Sequence, residues 1–360
     1  MQLSLPTPFG PNWADFISEW CLDVEPADSQ ENVERAFDAL QRLWPDHLAE
    51  IAAKPVRGIL TVAPLTTLGL LLADCERLPG FENVLRRIKA GERSGLSELR
   101  FAWHVLRAVL APTLEPALGG KVLDTQIPFA GDVIYCEVIA PETSEAVEEA
   151  HAQINELAST IAANNAGKRI EVLLDGDLTP QIGAAVVDAV RELQVSDNIV
   201  VLPGIGRVSV RDAAEFSDAG PTIPKNEAIA ILGSAQFRVQ GSVRAVGIVR
   251  LPMTDERAKR LLYAESHHFS PDHINVLVIN ATSVPGGIKT WTPLIRCALQ
   301  PTQNRRFSAI ILFSVGIGGE KMGTLETWTA ITNSHAYCPI PEKFLQRVVN
   351  EEIEESPPAI

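Results

Sequence analysis

The chain has 360 residues, of which 46% are hydrophobic, so it is long enough to bury a full core as two domains or as one large α/β unit with a helical extension. Its 45 acidic and 31 basic residues give a formal net charge of −14, which argues against a protein that coats nucleic acid by itself, because phosphate binding depends on clustered Lys and Arg. Charge therefore disfavours nucleic acid as a partner, whereas a protein partner remains compatible with it.

Cysteine usage and the apolar segments bear on the compartment. The five cysteines are scattered and form neither a CxxC pair nor a zinc-binding spacing, which is typical of a reducing cytoplasm. The first residues, MQLSLPTPFGPNW, carry neither a basic segment nor a long apolar stretch, and Pro64 interrupts the most apolar window, GILTVAPLTTLGLLLADC. We therefore expect a cytoplasmic chain that is neither exported nor inserted into a membrane.

The region from about Asn32 to Ala111 is predicted to be mostly helical. In ENVERAFDALQRLW, apolar residues recur with a helical period and form one stripe, which consists of Val33, Ala36, Phe37, Leu40 and either Leu43 or Trp44. PGFENVLRRIKAGE continues in the same mode. Its basic group, Arg86 to Lys89, is expected to be a solvated helix face.

Glu98 lies on the last helix of this region, SGLSELRFAWHVLRAVLA, which Pro112 closes. It is four residues from Ala102 and seven from Val105, so it borders the stripe that faces the core. Two placements are open at this point. The carboxylate either points toward the strands that follow or lies at the surface beside charges such as Arg100.

A β-hairpin is predicted in KVLDTQIPFAGDVIYCEVIAP, from Lys121 to Pro141. Both arms are rich in Val, Ile, Leu and Tyr, and PFAGD between them is a turn sequence. If Ile127 and Ile134 pair across the turn, Asp124 comes to lie opposite Glu137. A slip of one residue would place these two acids on opposite faces of the hairpin.

Two carboxylates placed across a strand pair repel each other, and burial among Val and Ile raises the pKa of at least one of them. A bound cation removes that cost. Oxygen ligands of this kind suit Mg²⁺ or Mn²⁺, held by one or two carboxylates, with water and a substrate phosphate in the remaining positions. The hairpin therefore predicts a metal site formed by Asp124 and Glu137.

The order of these segments resembles the core of the PD-(D/E)XK nuclease-like superfamily over roughly Ser94 to Asp175. The matching features are a helix with SELR, which contains Glu98, a strand that contains Asp124, and the strand DVIYCEV with Glu137. The resemblance implies a restriction-endonuclease-like mixed sheet flanked by helices, with an N-terminal helical region in front. It also implies that these acids bind Mg²⁺ and that the protein cleaves phosphodiester bonds of nucleic acid.

The chain also resembles a group of uncharacterised bacterial proteins with the same order of segments, including ones similar to INVLVINATSVPGGIKTW and to the NSHAYCPIP end. That resemblance extends over most of the chain. It implies no known activity.

One residue departs from the nuclease pattern. The family places a lysine two residues after the glutamate, where it helps to activate water, and this chain has Ile139 there. Lys121 is the nearest lysine but points to the other face unless a bulge intervenes, and Lys168 opens the next predicted strand, from which it can reach back. The candidate catalytic residues are therefore Glu98, Asp124, Glu137, Lys168 and Lys121.

After the hairpin, a long helix is predicted in PETSEAVEEAHAQINELASTIAANN, followed by a strand in RIEVLL. A crossover of this kind predicts that the strand of Glu137 and the strand of Ile170 are parallel neighbours. Short strands are predicted between Asn198 and Leu251, and then helices alternate with the strands INVLVIN and FSAIILFS, which favours α/β layers. In the loop before INVLVIN, three histidines (His267, His268 and His273) are expected to form a surface cluster.

These patterns predict four regions. They are an N-terminal helical region (1–92), a nuclease-like α/β core (93–197), a second strand-rich α/β portion that packs on the same sheet (198–345), and an acidic tail (346–360).

Three functional hypotheses follow. In the first, an Mg²⁺-dependent nuclease binds its metal through Asp124 and Glu137, with Glu98 as a supporting acid and Lys168 or Lys121 orienting water. In the second, the same fold is catalytically silent and serves as a protein-interaction or sensing module in a bacterial assembly, which the acidic charge and Ile139 favour. In the third, it is a metal-dependent hydrolase or small-molecule binder in which Glu137 has another role, and no feature specifically supports this.

Overall fold

The computed structural model describes residues 12–21, 24–54, 58–118, 120–141, 145–176, 178–212, 230–239, 242–252, 257–284, 287–349 and 353–355. These residues form a mixed α/β protein whose sheets contain parallel and antiparallel strands. The chain divides into two compact units. Unit 1 comprises Met1–Pro141, Leu262–Thr282 and Arg296–Ile360, and unit 2 comprises Glu142–Leu261 and Ser283–Ile295.

The expected region boundaries at residues 92, 197 and 345 differ from this division. The reason is that strands from the last third of the chain join the sheet of the hairpin, while the segment directly after the hairpin forms a sheet of its own.

The described residues form helices throughout the first part of the chain and between the later strands. A short π-helical segment, Ile17–Cys21, follows the first helix. The α-helices are α1 (Trp13–Phe16), α2 (Gln30–Leu43), α3 (Pro45–Ala52), α4 (Ile59–Cys75), α5 (Phe81–Lys89), α6 (Arg93–Arg107), α7 (Glu145–Asn164), α8 (Pro180–Glu192), α9 (Arg257–Glu265), α10 (Gly287–Ala298) and α11 (Glu342–Val348).

The strands begin after α6. They are β1 (Thr113–Leu114), β2 (Ala117–Leu118), β3 (Lys121–Val122), β4 (Thr125–Phe129), β5 (Asp132–Ile139), β6 (Lys168–Leu174), β7 (Ser196–Leu202), β8 (Gly206–Asp212), β9 (Ala230–Val239), β10 (Ser242–Pro252), β11 (Ile274–Asn280), β12 (Ala309–Gly318), β13 (Gly323–Thr332) and β14 (Ile353–Glu355).

The N-terminal helices of unit 1 share a hydrophobic core of their own. Ser29 caps α2 by accepting a hydrogen bond from the backbone N–H of Asn32 at 3.3 Å, and the predicted apolar stripe of α2 is buried. Helix α4 packs directly on α2, as shown by the clash that a Cβ atom added at Gly69 would make with the carbonyl oxygen of Ala36. The predicted helical region is therefore confirmed, and a glycine sets the spacing of two of its helices.

Unit 1 also contains a seven-stranded sheet, in the order β1-β4-β5-β11-β12-β13-β14. Strands β4 and β5 are antiparallel, β5, β11 and β12 run parallel to one another, and β12 and β13 are antiparallel. Helix α6 packs on the face that carries Ile134, Cys136 and Val138. The amide of Asn280 at the end of β11 donates to Ser97 on α6 at 2.9 Å, which helps to fix the helix that carries Glu98.

Unit 2 contains a five-stranded sheet in the order β7-β8-β6-β10-β9, with α7 and α8 packed on it. The strand of Ile170, β6, pairs with β8 and β10 in this sheet. The predicted parallel pairing between the strands of Glu137 and Ile170 is therefore wrong. The parallel neighbour of β5 is β11, because the crossover through α7 leads into a second sheet and the chain returns to the first sheet only at Ile274.

The acidic tail is in part regular structure. Gln346 to Val348 belong to α11, where Val348 is buried, and Ile353–Glu355 pair with β13. Residues 350–352 and 356–360 of the tail, like 213–229 of the strand-rich region, lie outside the described residues. Every helix within the described ranges is too short or too polar to cross a bilayer.

The contact between α2 and α4 gives a test of the N-terminal core. We expect Gly69→Ala to destabilise unit 1 by about 2 kcal/mol, since the added methyl group meets the backbone of Ala36 and forces the helices apart. The gain in helix propensity, at most about 1 kcal/mol, does not offset this. Thermal unfolding followed by circular dichroism measures the effect.

Gly183→Ala in α8 is the matched control. Its added Cβ would meet Leu178 at an ordinary 3.7 Å, so we expect no loss of stability. Equal melting temperatures for Gly69→Ala and the wild type would show that α2 and α4 do not pack as closely as described.

Candidate functional site

The hairpin of β4 and β5 has the predicted register. Ile127 lies opposite Ile134, and the last pair of the ladder is Thr125 with Cys136. Asp124 directly precedes β4, and its side chain is hydrogen-bonded to that of Glu137. The expectation that these two acids meet is therefore confirmed.

Asp124 also holds the end of the hairpin together. Its Oδ2 accepts a hydrogen bond from the backbone N–H of Val138 at 2.6 Å. Val138 lies two residues beyond Cys136, so its N–H points to the same side, where β4 has already ended. The carboxylate takes the place of the missing strand and satisfies a donor that the ladder leaves unpaired.

Glu98 on α6 points inward, which decides between the two placements left open by the sequence. Its side chain is 1% exposed and forms an ion pair with Arg87 of α5, whose Nη2 donates to Oε2 of the glutamate. The Nε atom of Arg87 also lies 3.5 Å from Oε1 of Glu115. One guanidinium group therefore balances part of the charge of two buried or half-buried acids.

Glu115 lies beside Asp124 through the backbone. Its N–H donates to the carbonyl oxygen of Asp124 at 2.9 Å, and the residue has a positive φ of 49°. The short hairpin of β2 and β3 connects the two residues. Glu115 adds a further acid to the group formed by Glu98, Asp124 and Glu137.

Burial, followed by the charges of neighbouring acids, raises the pKa of each member of the central group. Burial, the charge of Asp124 and the hydrogen bond between the two carboxyl groups together raise the pKa of Glu137 to about 9. Burial also raises the pKa of Asp124, although the N–H of Val138, the hydrogen bond from Glu137 and the charge of Arg87 oppose this. Glu137 is therefore the protonated partner and donates its hydrogen to ionised Asp124.

Glu98 has a raised pKa for the same reasons. Burial and the charge of Asp124 raise the pKa and Arg87 lowers it, which leaves the pKa of Glu98 at about 7. At neutral pH, one carboxyl proton is thus shared between Asp124 and Glu137, and Glu98 is close to its own titration point.

A fifth acid approaches from α9. Glu265 is the last residue of that helix, and its Oε2 lies 3.0 Å from Nδ1 of His268. Burial raises the pKa of Glu265, the neighbouring His268 lowers it, and the charge of Asp124 raises it. The predicted surface cluster of histidines therefore includes one residue that contacts the acidic group.

The structure brings together three of the five candidate residues, namely Glu98, Asp124 and Glu137. Lys121 is exposed on β3, and its Nζ donates to the carbonyl oxygen of His267 at 3.3 Å. Lys168 belongs to β6 of unit 2, where its Nζ donates to the carbonyl oxygen of Leu193 at 2.7 Å. Each lysine is thus bonded to a backbone carbonyl.

Sequence reasoning missed the cation that does contact the acids. Arg86 to Lys89 were expected to be a solvated helix face, yet Arg87 reaches Glu98 and Glu115 while Arg86 and Lys89 are exposed. The signal was its spacing: Arg87 follows Val84 by three residues and precedes Ile88, so it borders the buried stripe of α5.

The described ranges contain no group of three or more His, Cys, Asp or Glu side chains that could hold a metal ion. Asp124 and Glu137 form a pair of adjacent carboxyl groups within these ranges.

Comparisons with known proteins add no relative. No family model matches the chain, and no curated protein or solved structure matches it either.

The ion pair of Arg87 gives a stability test. Arg87→Met leaves the carboxylate of Glu98 buried without its cation, so we expect a loss of about 3 kcal/mol in the free energy of unfolding, measured by urea titration. Adding Glu98→Leu should restore part of this loss, because the most buried of the carboxylates that Arg87 balances is then absent. Arg86→Met on the exposed face of the same helix is the control, and an equal loss in that variant would contradict the assignment.

The shared proton gives a pH test. The pKa of Glu137 is 4.5 ordinarily and about 9 here, so between these values the folded protein retains a proton that the unfolded chain has released. The stability of the wild type therefore falls as the pH rises across this window. Glu137→Gln keeps the hydrogen-bond donor but cannot ionise, so we expect it to exceed the wild type by on the order of 1 kcal/mol at pH 8.

Urea unfolding at pH 5, 7 and 9 checks this. The difference in the free energy of unfolding between Glu137→Gln and the wild type should increase with pH. Exposed Glu82, changed to Gln, serves as the control. Parallel curves for the wild type and Glu137→Gln would show that Glu137 is ionised in the folded protein.

Proposed function

We propose that this protein is a divergent member of the PD-(D/E)XK nuclease-like superfamily and that it cleaves phosphodiester bonds of nucleic acid with Mg²⁺ or Mn²⁺. One observation carries the proposal. Glu98 on the leading helix, Asp124 directly before β4 and Glu137 on β5 lie together in the chain order expected for that superfamily, and two of them share a proton.

The donor set fits a hard divalent cation. Magnesium in phosphoryl-transfer sites is commonly held by one or two carboxylates, with water and substrate phosphate completing the shell. Asp124 and Glu137 supply two adjacent carboxyl groups, and burial is the largest cause of the raised pKa of each. When bound, such a metal supplies positive charge to a phosphoryl oxygen and lowers the pKa of a coordinated water.

The side chains around this pair orient the carboxylates and determine the charge of the site. The N–H of Val138 fixes Asp124 in place, so this carboxylate needs no further partner to stay oriented. Glu137 releases its proton when it becomes a ligand, which couples cation binding to pH. Glu98 stays paired with Arg87, whose positive charge also acts on Asp124 and lowers its pKa against the effect of burial.

A second candidate function is favoured by two specific observations. Ile139 occupies the position of the family lysine, and Lys121 and Lys168, which could replace it, are each bonded to a backbone carbonyl. These observations support a catalytically silent nuclease-like fold that serves as a protein-interaction or sensing module. Cation binding and cleavage separate the two candidates.

We expect the wild type to take up Mg²⁺ or Mn²⁺ in calorimetry at pH 8 and to cleave single- or double-stranded DNA or RNA. Asp124→Asn and Glu137→Gln each remove one carboxylate and should lower both cation affinity and cleavage at least 100-fold. Asp124→Asn keeps an oxygen that can accept from the N–H of Val138, so its loss reports on charge rather than on the fold.

Glu82→Gln on the exposed face of α5 is the control and should behave as the wild type. Cleavage that persists in both site variants would overturn the assignment of the acids. A wild type that takes up no cation and cleaves none of the substrates would overturn the nuclease proposal and leave the interaction module.

A further inference from the structure

A second feature of unit 1 lies next to the acidic group. A cavity of about 330 Å³ opens between the loop after α9, the start of β3 and the chain before β12. Five of its lining residues carry basic side chains: Lys121, His267, His268, His273 and Arg306. Basic side chains collected around one cavity contrast with a chain whose net charge is −14.

The two permanent cations of this cavity lack charged partners. Lys121 donates to the carbonyl oxygen of His267 at 3.3 Å, and Arg306 donates to the carbonyl oxygen of Ser266 at 3.2 Å. Among the residues that the structure describes, no carboxylate lies within ion-pair distance of either cation. An ammonium has three N–H donors and a guanidinium has five, so most of their donors remain available to a ligand.

Two acids near the cavity, Asp272 and Glu265, are not partners of Lys121 or Arg306. Asp272 lies between the histidines in sequence but does not line the cavity, and Glu265 pairs with His268. His273 is held beside the ring of Tyr135, with 5.0 Å between the ring centres. The cavity therefore keeps the positive charge of at least Lys121 and Arg306.

The cavity adjoins the acids through two connections. Leu123 lines the cavity and directly precedes Asp124 in the chain. His268 also lines it, and its Nδ1 lies 3.0 Å from Oε2 of Glu265, the acid that ends α9. A site for anions and a group of acids that suits a cation are thus neighbours within one unit.

We propose that this cavity binds a phosphate group of a polynucleotide backbone, adjacent to the phosphate that reaches Asp124 and Glu137. This inference rests on the proposed function. Lys and Arg are the usual contacts for backbone phosphates, and such contacts position a nucleic acid without reading its sequence. A local group of this kind allows binding by a chain whose net charge is negative, because binding depends on the charges near the phosphate.

Binding is tested in the Glu137→Gln background, where cleavage does not consume the probe. The probe is a fluorescein-labelled single-stranded oligonucleotide of mixed sequence, and its Kd is measured by anisotropy at several salt concentrations. We expect Lys121→Gln and Arg306→Gln each to weaken binding about tenfold. Each should also lower the slope of log K against log salt by about 1, as loss of one phosphate contact predicts.

Two control variants match these changes. Arg305 is adjacent to Arg306 and also donates to a backbone carbonyl, that of His335 at 3.0 Å, but it does not line the cavity. Lys343 is an exposed lysine on α11. Arg305→Gln and Lys343→Gln should leave both Kd and salt slope unchanged. Because Lys121 is exposed, Lys121→Gln remains informative even if Arg306→Gln lowers the melting temperature.

Inorganic phosphate, added as a competitor in the millimolar range, tests whether the cavity recognises the phosphate groups of the oligonucleotide. Displacement of the oligonucleotide by phosphate from the control variants supports the proposal. Binding of free phosphate without any binding of the oligonucleotide would overturn the polynucleotide as ligand. Equal Kd values for the cavity variants and their controls would overturn the cavity as the site.

The two proposals fail separately. If the wild type cleaves nucleic acid but the cavity variants bind as tightly as the controls, only the cavity inference is overturned. If the wild type cleaves nothing but oligonucleotide binding still depends on Lys121 and Arg306, the cavity stands and the nuclease proposal falls.

Discussion

A single proton between Asp124 and Glu137 is the constraint on which the site depends. Two ionised carboxylates at hydrogen-bond distance repel strongly where water is excluded, so the arrangement is stable only if one of them is neutral or a cation intervenes. Within the described part of the chain, Arg87 is a cation near these acids, but its ion pairs are with Glu92, Glu98 and Glu115. The charge of the central pair is therefore left for a proton or an added ion to balance.

The framework around this pair is assembled from distant parts of the chain. Helix α6 and the hairpin of β4 and β5 are local, but the strand next to Glu137 is β11, which follows after all of the described strands of unit 2. Helix α9, which ends at Glu265, leads directly into that returning segment. The acids of this group therefore come from segments that precede and follow Glu142–Leu261 of unit 2 in the sequence.

The local parts of this arrangement could be predicted from the sequence. Alternation of apolar residues around a turn fixed the pairing of Ile127 with Ile134, and helical spacing identified the stripe of α2. The identity of the next strand could not be predicted, because β5, β6 and β11 are all short apolar runs and nothing local states which of them pair. Likewise, the partner of Glu98 could not be predicted. The spacing of Arg87 places it at the border of a buried stripe, but in sequence it resembles the exposed charges on either side of it.

Asp124 has two roles, because it belongs to the acidic pair and also accepts a hydrogen bond from the backbone of Val138, whereas Glu137 has only the first role. Replacing Asp124 with an apolar residue would leave the amide of Val138 buried without an acceptor, whatever the chemistry of the site. In related sequences, an aspartate at this point can thus persist long after any activity has been lost, merely to finish a hairpin. Glu137 has no comparable structural role. Whether related sequences retain or replace the glutamate at this position is therefore the better indicator of whether selection has kept the site in use.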